Sequence, residues 1–445
     1  MDDPTTQARP AGTREVLAWA FYDFANSGYT TVVLTTIYSA FFVAVVAADL
    51  DTANPGTATL LWTLGIAAAN LIVLVSSPVI GAMADVRASK KRYLLYSSVA
   101  CVLGTAGLAL AGPGEAPLAL TILIISYIAF SLGESLIAAF LPEIASSENM
   151  GRISGYGWGL GYFGGLLTLG CCLGYINHAT AQEQGAEQYV PVTLLLTAVI
   201  FAVTAAPTFV WLRERARPRA EASQSYVRAA FAQVADTLRH AAHLPDLFRF
   251  LLCIIFFQAG VSTVVVVAAI YAQEVMGFSS QRLIVLIMVV NFTAALGAVV
   301  FGFVQDRLGS VPSLAGALLL WIVAILVAMR GDSEALLWLA GNLIGLAMGA
   351  TQAGGRALVG QLTPAQHNGE MFGLWGLANR AAAIVGPISY GIITRIGGGD
   401  HQLSMLSTLA FFLVGLALLL GVREARGRSA ALAYTARSTG SNGAH

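Results

Sequence analysis

Charge is what this chain has least of. Only 11% of its 445 residues are Asp, Glu, Lys or Arg, against about 25% in a soluble domain. Acidic and basic residues balance at 24 each, so no net basic charge suggests a nucleic-acid partner. Cysteine is scarce too. Cys101, Cys171, Cys172 and Cys253 all fall inside apolar segments, which reads as packing rather than a disulfide framework or a metal site. The six histidines, His178, His240, His243, His367, His401 and His445, lie between the apolar runs or in the tail. No Walker loop, Gly-x-Ser-x-Gly elbow or Ser/Lys constellation is present. ATP is therefore not the expected energy source, and no enzyme, catalytic residue, metal or cofactor is expected.

Apolar sequence fills the space that charge leaves. Hydrophobic residues make up 57% of the chain, with a mean hydropathy of +0.72. Apolar runs fall at about 16–46, 58–83, 93–111, 117–140, 153–176 and 190–212, then at 247–273, 282–303, 311–330, 335–359, 370–394 and 403–422. Each is long enough to cross a bilayer as one helix, for which roughly 20 residues suffice. The expected fold is an all-α membrane protein of twelve transmembrane helices.

The first run is the most polar of them. Trp19-Ala-Phe-Tyr22-Asp23-Phe-Ala-Asn26-Ser-Gly-Tyr29-Thr30 carries an acid where insertion costs on the order of 2.5–3.5 kcal/mol at the helix centre. Asp23, Asn26 and Thr30 step by 3 and 4 and share a face. That face either lines a polar cavity flanked by Tyr22 and Tyr29, or anchors the helix to a neighbour near its positive end. Other candidates for a substrate or ion pathway are Glu134, Gln258, Asn291, Asn379 and Arg380. Arg356 and the aromatics Trp158 and Trp375 also stand at membrane depth. Glu134 or Asp23 with Arg380 or Arg356 supplies either a binding pair for a zwitterion or an internal ion pair that only holds helices together.

The chain repeats itself. Gly81 and Asp85 after the second run recur as Gly302 and Asp306 after the eighth, a shift of 221, and Pro142 recurs as Pro364, a shift of 222. Gly-Tyr-Gly-Trp158-Gly is answered by Gly373-Leu-Trp375-Gly. Two parallel six-helix halves, 15–212 and 247–422, joined by an arginine-rich linker at 213–246, form the pseudo-symmetric plan of a major facilitator transporter. The loop residues Gly81, Asp85, Arg92, Arg152, Gly302, Asp306 and Arg307, with Arg356, are expected to form a latch that favours one access state; the plainer reading is a basic loop that only fixes topology. Lys and Arg cluster at 87–92, in the linker and in the tail, which puts both termini in the cytoplasm of an inner-membrane protein. Val227, Phe231, Val234 and Leu238 give the linker an apolar helical face, suited to the membrane surface or to packing under the bundle. Residues 1–14 read as a cytoplasmic tail, and 423–445, rich in Ser, Gly and Ala, as disordered.

Ala-Phe-Tyr22-Asp23-Phe-Ala25-Asn26-Ser27, Leu141-Pro142-Glu143-Ile-Ala and Gly151-Arg152-Ile-Ser154-Gly155-Tyr-Gly-Trp158-Gly-Leu-Gly-Tyr162-Phe-Gly-Gly165 together resemble the vacuole-effluxer-like (unknown major facilitator) family. The resemblance covers roughly residues 15–422. It departs in the second half, where Gln258-Ala259-Gly260 stands for the family's Asn-Asp-Gly and Gly355-Arg356-Ala357 for Ser-Arg-Ser. It implies a secondary transporter that exports a small polar metabolite such as an amino acid, as fungal relatives do from the vacuole. Expected partners are a small-molecule substrate, protons coupled through Asp23 or Glu134, and the lipid bilayer, with the protein a monomer and no nucleic acid bound. The alternatives are a multidrug or toxin exporter of the same fold and a membrane sensor that binds without transporting.

Overall fold

The computed structural model of the chain describes residues 12–86, 89–144, 150–215, 234–236, 238–330, 333–363 and 368–441. These residues are helical almost throughout and include no strand. In chain order the long helices are α1 (Thr13–Val46), α2 (Thr57–Val86), α3 (Lys90–Gly107), α4 (Ala116–Ala138), α5 (Met150–Ala181) and α6 (Ala186–Trp211). After the linker come α7 (Pro245–Glu274), α8 (Ser280–Leu308), α9 (Ser310–Arg330), α10 (Glu334–Leu362), α11 (Asn368–Ile396), α12 (His401–Leu420) and a tail helix α13 (Glu424–Ser441). Eleven are long and apolar enough to cross a membrane, and α11, at 29 residues, has the length of a twelfth span.

Local chemistry sets where the helices begin. Ser279, Ser333 and Asp400 cap α8, α10 and α12 by accepting the amides of Arg282, Leu336 and Leu403, and Pro245 opens α7, where its missing N–H is no loss. The start of α2 is capped from outside, by Asp51 accepting the Ala58 amide at 2.6 Å. α1 departs from regular α geometry at Thr30–Thr36 and Phe42–Val46, which are π-helical. Thr30 and Thr31 bond back to the carbonyls of Asn26 and Ser27, and the β-branched run Thr30–Val33 crowds a tight turn. Both effects loosen the ladder. Such π segments are frequent at functional sites.

The chain forms two compact units. Unit 1 is Met1–Leu34 with Val75–Ala230; unit 2 is Thr35–Leu74 with Phe231–His445. α1 and α2 thus contribute residues to both. In unit 1, α5 turns its glycines toward α1: a Cβ at Gly161 would meet Ser27 Oγ at 3.0 Å, one at Gly165 the Thr31 methyl at 3.0 Å, and one at Gly164 would fall on the Phe24 carbonyl. Gly159, on the other side of α5, faces open space. Trp19 donates to the Ile137 carbonyl of α4 at 2.8 Å, and Thr208 of α6 to Ala18 O at 2.6 Å. In unit 2, Trp321 stacks on Phe412 at 4.7 Å and donates to Thr351 at 3.3 Å. Close backbone approach of this kind supplies the packing that the hydrophobic effect cannot supply between helices in lipid.

The tail differs from its composition. Glu424–Ser441 is a helix where the sequence reads as disordered. Alanine is the strongest helix former, and Glu424 is tied to the start of α9, accepting the Ser310 amide at 2.9 Å. Val227 and Phe231 of the expected amphipathic linker helix lie outside the described residues.

Candidate functional site

On α1 the two tyrosines turn inward. Tyr22 is 1% exposed, with its hydroxyl 2.9 Å from Ser98 Oγ and packed on Gly133 of α4. Tyr29 is fully buried, bonds Ser126 Oγ at 2.7 Å and stacks on Phe130. Asp23, half-buried, directs its carboxylate at Gly157 of α5, where a Cβ would collide with Oδ2. Asn26 is 6% exposed, and neither its amide oxygen nor its amide nitrogen has a partner among the described residues. An unmatched buried amide costs about 1–3 kcal/mol, which a water or ligand would offset. Glu134 of α4 is exposed, and Trp158 of α5 lies 6.1 Å from Tyr162.

Packing fixes how the two units correspond. Gly133 of α4 meets Tyr22 of α1, and Gly355 of α10 meets Phe257 of α7. Gly164 of α5 meets the Phe24 carbonyl, and Gly386 of α11 meets the Ala259 carbonyl. Both contacts give a shift of 235 from α1 to α7, and of 222 from α4 and α5 to α10 and α11. This register corrects the motif match that set Trp158 against Trp375: Trp158 corresponds to Arg380. It also sets Asp23 against Gln258 and Glu134 against Arg356. Only at Glu134 and Arg356 does an acid of unit 1 stand against an arginine of unit 2.

In unit 2, Arg356 lies over the ring of Trp375 on α11, with its guanidinium carbon 5.4 Å from the ring centroid. That cation–π contact anchors the arginine. One turn on, Asn379 donates to the Trp375 carbonyl at 2.8 Å and Arg380 follows, half-buried. Gln258 is half-buried on α7. Asn291 donates to Ile287 O of its own helix at 2.9 Å.

The side chains of Gly81, Asp85, Arg152, Gly302 and Asp306 lie outside the described residues; Arg92 and Arg307 are exposed. What the structure shows beside these loops is a pair of clasps that the sequence reading missed. After α6, the Arg213 amide donates to Glu15 at 3.0 Å, and Arg215 pairs with both Glu15 oxygens at 2.7 Å. Glu214 accepts the Lys90 amide at the start of α3 at 2.6 Å, and Lys90 reaches Glu143 at 3.0 Å. After α12 the pattern returns. The Arg423 amide donates to Asp246 at 2.9 Å, Arg426 pairs with both Asp246 oxygens, and Glu424 caps α9. Donation to the Glu15 carboxylate raises the Arg215 pKa above its ordinary value, and donation to Asp246 does the same for Arg426. The available signal was Leu212-Arg213-Glu214 answered by Val422-Arg423-Glu424.

Known proteins place this architecture. A family model described as "Vacuole effluxer Atg22 like" matches residues 56–432. The chain is 25% identical over 417 residues to the "Uncharacterized MFS-type transporter YxiO" of Bacillus subtilis, covering 93% of this chain and 95% of that one. It is 26% identical over 315 residues to "Autophagy-related protein 22" of Cryptococcus neoformans, covering 66% of this chain and 57% of the fungal protein, so it spans little more than half of that relative's length. Among solved structures, the D-xylose-proton symporter superposes with a TM-score of 0.69 at 14% identity, over 93% of this chain and 98% of that one. The nucleoside transporter NupG does so with a TM-score of 0.65 at 13% identity, over 92% and 98%. These likenesses show a multi-pass membrane protein of the major facilitator fold. With the family match running over most of its length, the chain belongs to the vacuole effluxer Atg22-like family.

Proposed function

We propose that the protein is a secondary transporter working by alternating access, and that it exports a small zwitterionic metabolite such as an amino acid across the inner membrane. The observation that carries the proposal is the one matched position where charge reverses, Glu134 in unit 1 against Arg356 in unit 2, with Asp23 a further acid of unit 1 and Arg380 a further arginine of unit 2. A zwitterion that leaves water needs both of its charges met. The carboxylates of unit 1 answer an ammonium group; the guanidinium forks of unit 2 answer a carboxylate. The unpartnered amide of Asn26 adds a donor and an acceptor on the same helix as Asp23. Proton coupling runs through Asp23 or Glu134, the acids of unit 1 at membrane depth. The family's description as an effluxer supports the direction of transport. The loop acids Asp85 and Asp306, with Arg92, Arg152 and Arg307, act as the latch between access states, and the halves 15–212 and 247–422 are the moving bodies of a monomer with both termini in the cytoplasm.

The test is a thermal-shift screen of the full chain in detergent against amino acids, dipeptides and bulky apolar drugs, repeated with Asp23→Asn. A ligand that binds only the folded state raises Tm by mass action. The expected result is a shift with a zwitterionic amino acid that Asp23→Asn loses. A shift with apolar compounds alone makes the protein a drug exporter and returns Asp23 to an anchoring role.

A further inference from the structure

α7 is 30 residues long, roughly 45 Å at 1.5 Å per residue. Asp246 and its clasp mark one end, and Glu274 marks the other. At the Glu274 end, unit 2 holds a second set of titratable groups that the polar face does not use. There the segment joining α1 to α2 is pressed onto the turn between α11 and α12. A Cβ at Gly56, whose φ is +81°, would fall on the Thr394 carbonyl and 3.1 Å from the Arg395 Cα; one at Gly399, at φ +93°, would lie 3.1 Å from the Pro55 Cβ. Both need the left-handed region and the absence of a side chain. Arg395 donates to Asn54 Oδ1 at 2.9 Å. Further along α2, Trp62 donates to the Val266 carbonyl of α7 at 3.2 Å, and Gly391 of α11 fits against Leu60 and Thr63.

His401 stands beside this contact. The sequence reading left it in a loop, but it opens α12 and is 8% exposed. Its Nδ1 lies 2.9 Å from the hydroxyl of Tyr390, which is wholly buried on α11. Two carboxylates act on it. Asp400 precedes it and caps α12. Asp51 comes from the α1–α2 segment, tied to the amides of Gly56 and Ala58, and its charge acts on the His401 ring and on Glu274 of α7. The remaining groups are Tyr271 of α7, which donates to the Ala328 carbonyl, and Arg395, which is engaged with Asn54.

The geometry points to His401 as a proton-binding site that sets how firmly the α1–α2 segment is held to α11 and α12. When His401 takes a proton, its Nδ1–H donates to Tyr390 and a positive charge faces Asp51 and Asp400. The clasp tightens. When it loses the proton, Asp51 and Asp400 lose the positive charge they face, and Asp51 and Glu274 still repel each other. The clasp loosens. Histidine is the side chain whose charge change lies within reach of physiological pH, which makes the contact responsive to acidification. The site is separate from Asp23 and Glu134 and does not depend on which substrate is carried.

The experiment places nitroxide labels by Thr52→Cys and Gln402→Cys, both exposed positions, in the full chain with Cys171→Ser. Distances are read by pulsed electron resonance in lipid nanodiscs at about pH 5.5 and about pH 8. The expected result is a short-distance population about twofold larger at the acid pH, a difference that His401→Gln abolishes. Asp51→Asn removes one carboxylate facing the ring and shifts the midpoint to lower pH. A distribution that ignores pH, moves in the opposite sense, or responds in His401→Gln as it does in the parent overturns the proposal. Should His401→Gln fail to fold, an unchanged midpoint in Asp51→Asn overturns it equally.

Discussion

In unit 1 the α1–α5 crossing rests on Gly164 against the Phe24 carbonyl; in unit 2 the α7–α11 crossing rests on Gly386 against the Ala259 carbonyl. Gly133 and Gly355 repeat the second contact, one against Tyr22 and the other against Phe257. The clasps after α6 and α12 repeat as well, down to an arginine pairing with both oxygens of an acid near the start of the unit's first long helix. One position past Tyr22 and Phe257, and past Gly133 and Gly355, the likeness stops. Asp23 faces Gln258 in the alignment, and Glu134 faces Arg356. Where backbone meets backbone the geometry admits one residue type, whereas a side chain on the polar face is set by what it must meet. The units therefore share a frame and differ in electrostatic sign.

The largest effect should come from breaking the shared frame. Gly164→Leu and Gly386→Leu each drive a side chain into a backbone carbonyl that cannot swing away, and overpacking of this kind costs about 3 kcal/mol. Both variants should lose most of their folded yield by size-exclusion chromatography in detergent. Gly159→Leu, which enters open space on the same helix as Gly164, should keep it. Equal loss from Gly159→Leu would mean that α5 tolerates no bulk anywhere and that the matched contacts carry no special weight.

The clasps come next. Arg215→Ala strands Glu15, whose side chain is 10% exposed, and losing hydrogen bonds to a charged group costs about 2 kcal/mol. Tm in detergent should fall, and Glu15→Gln added to Arg215→Ala should recover part of the loss by leaving a neutral group behind. Arg426→Ala should lower Tm at least as much, because the acid it strands, Asp246, has a side chain only 2% exposed. Recovery by the double variant separates charge from packing; its absence would assign the clasp to packing alone.

The difference between the units predicts a smaller effect, seen in binding. If the acid and the arginine at the matched position each meet one end of the substrate, Glu134→Gln and Arg356→Gln should each weaken an amino-acid-induced thermal shift by about tenfold in affinity, near 1.4 kcal/mol. A substrate analogue lacking its ammonium should respond only to Arg356→Gln. One lacking its carboxylate should respond only to Glu134→Gln. Loss of both responses in both variants would show the pair to be a structural ion bridge.

Much of the frame was legible in the sequence. The predicted runs 16–46, 58–83 and 282–303 became Thr13–Val46, Thr57–Val86 and Ser280–Leu308, because a bilayer demands a minimum apolar length. The repeat was legible in its loops, yet its register across α5 and α11 was not. Two tryptophans suggested a match, whereas the constraint that sets the register is one glycine against one carbonyl. The clasps went unread because each joins residues about 180–200 positions apart, as Glu15 does with Arg215. His401 stands just before the predicted run 403–422; what buries it comes from beyond its neighbours, including Tyr390 on α11. Of the polar face, the residue types were readable but their sides were not. Tyr22 and Tyr29 turned into the core, and only a partner on another helix could decide that.

Tyr22 offers the finest comparison, since unit 2 already carries the substitution. The matched residue is Phe257, packed on Gly355 as Tyr22 is on Gly133. Tyr22→Phe therefore makes unit 1 resemble unit 2 at this point without changing ring volume. The hydroxyl is lost from a bond with Ser98, but Ser98 keeps its own bond to the Leu94 carbonyl at 2.7 Å, so no donor is stranded. The expected loss is about 1 kcal/mol, the net value of one hydrogen bond, with amino-acid binding unchanged. A larger loss of stability would mean that the hydroxyl helps to fix the tilt of α1 against α3. A loss of binding at unchanged stability would instead return Tyr22 to the substrate path, and the two units would then differ in one more functional residue.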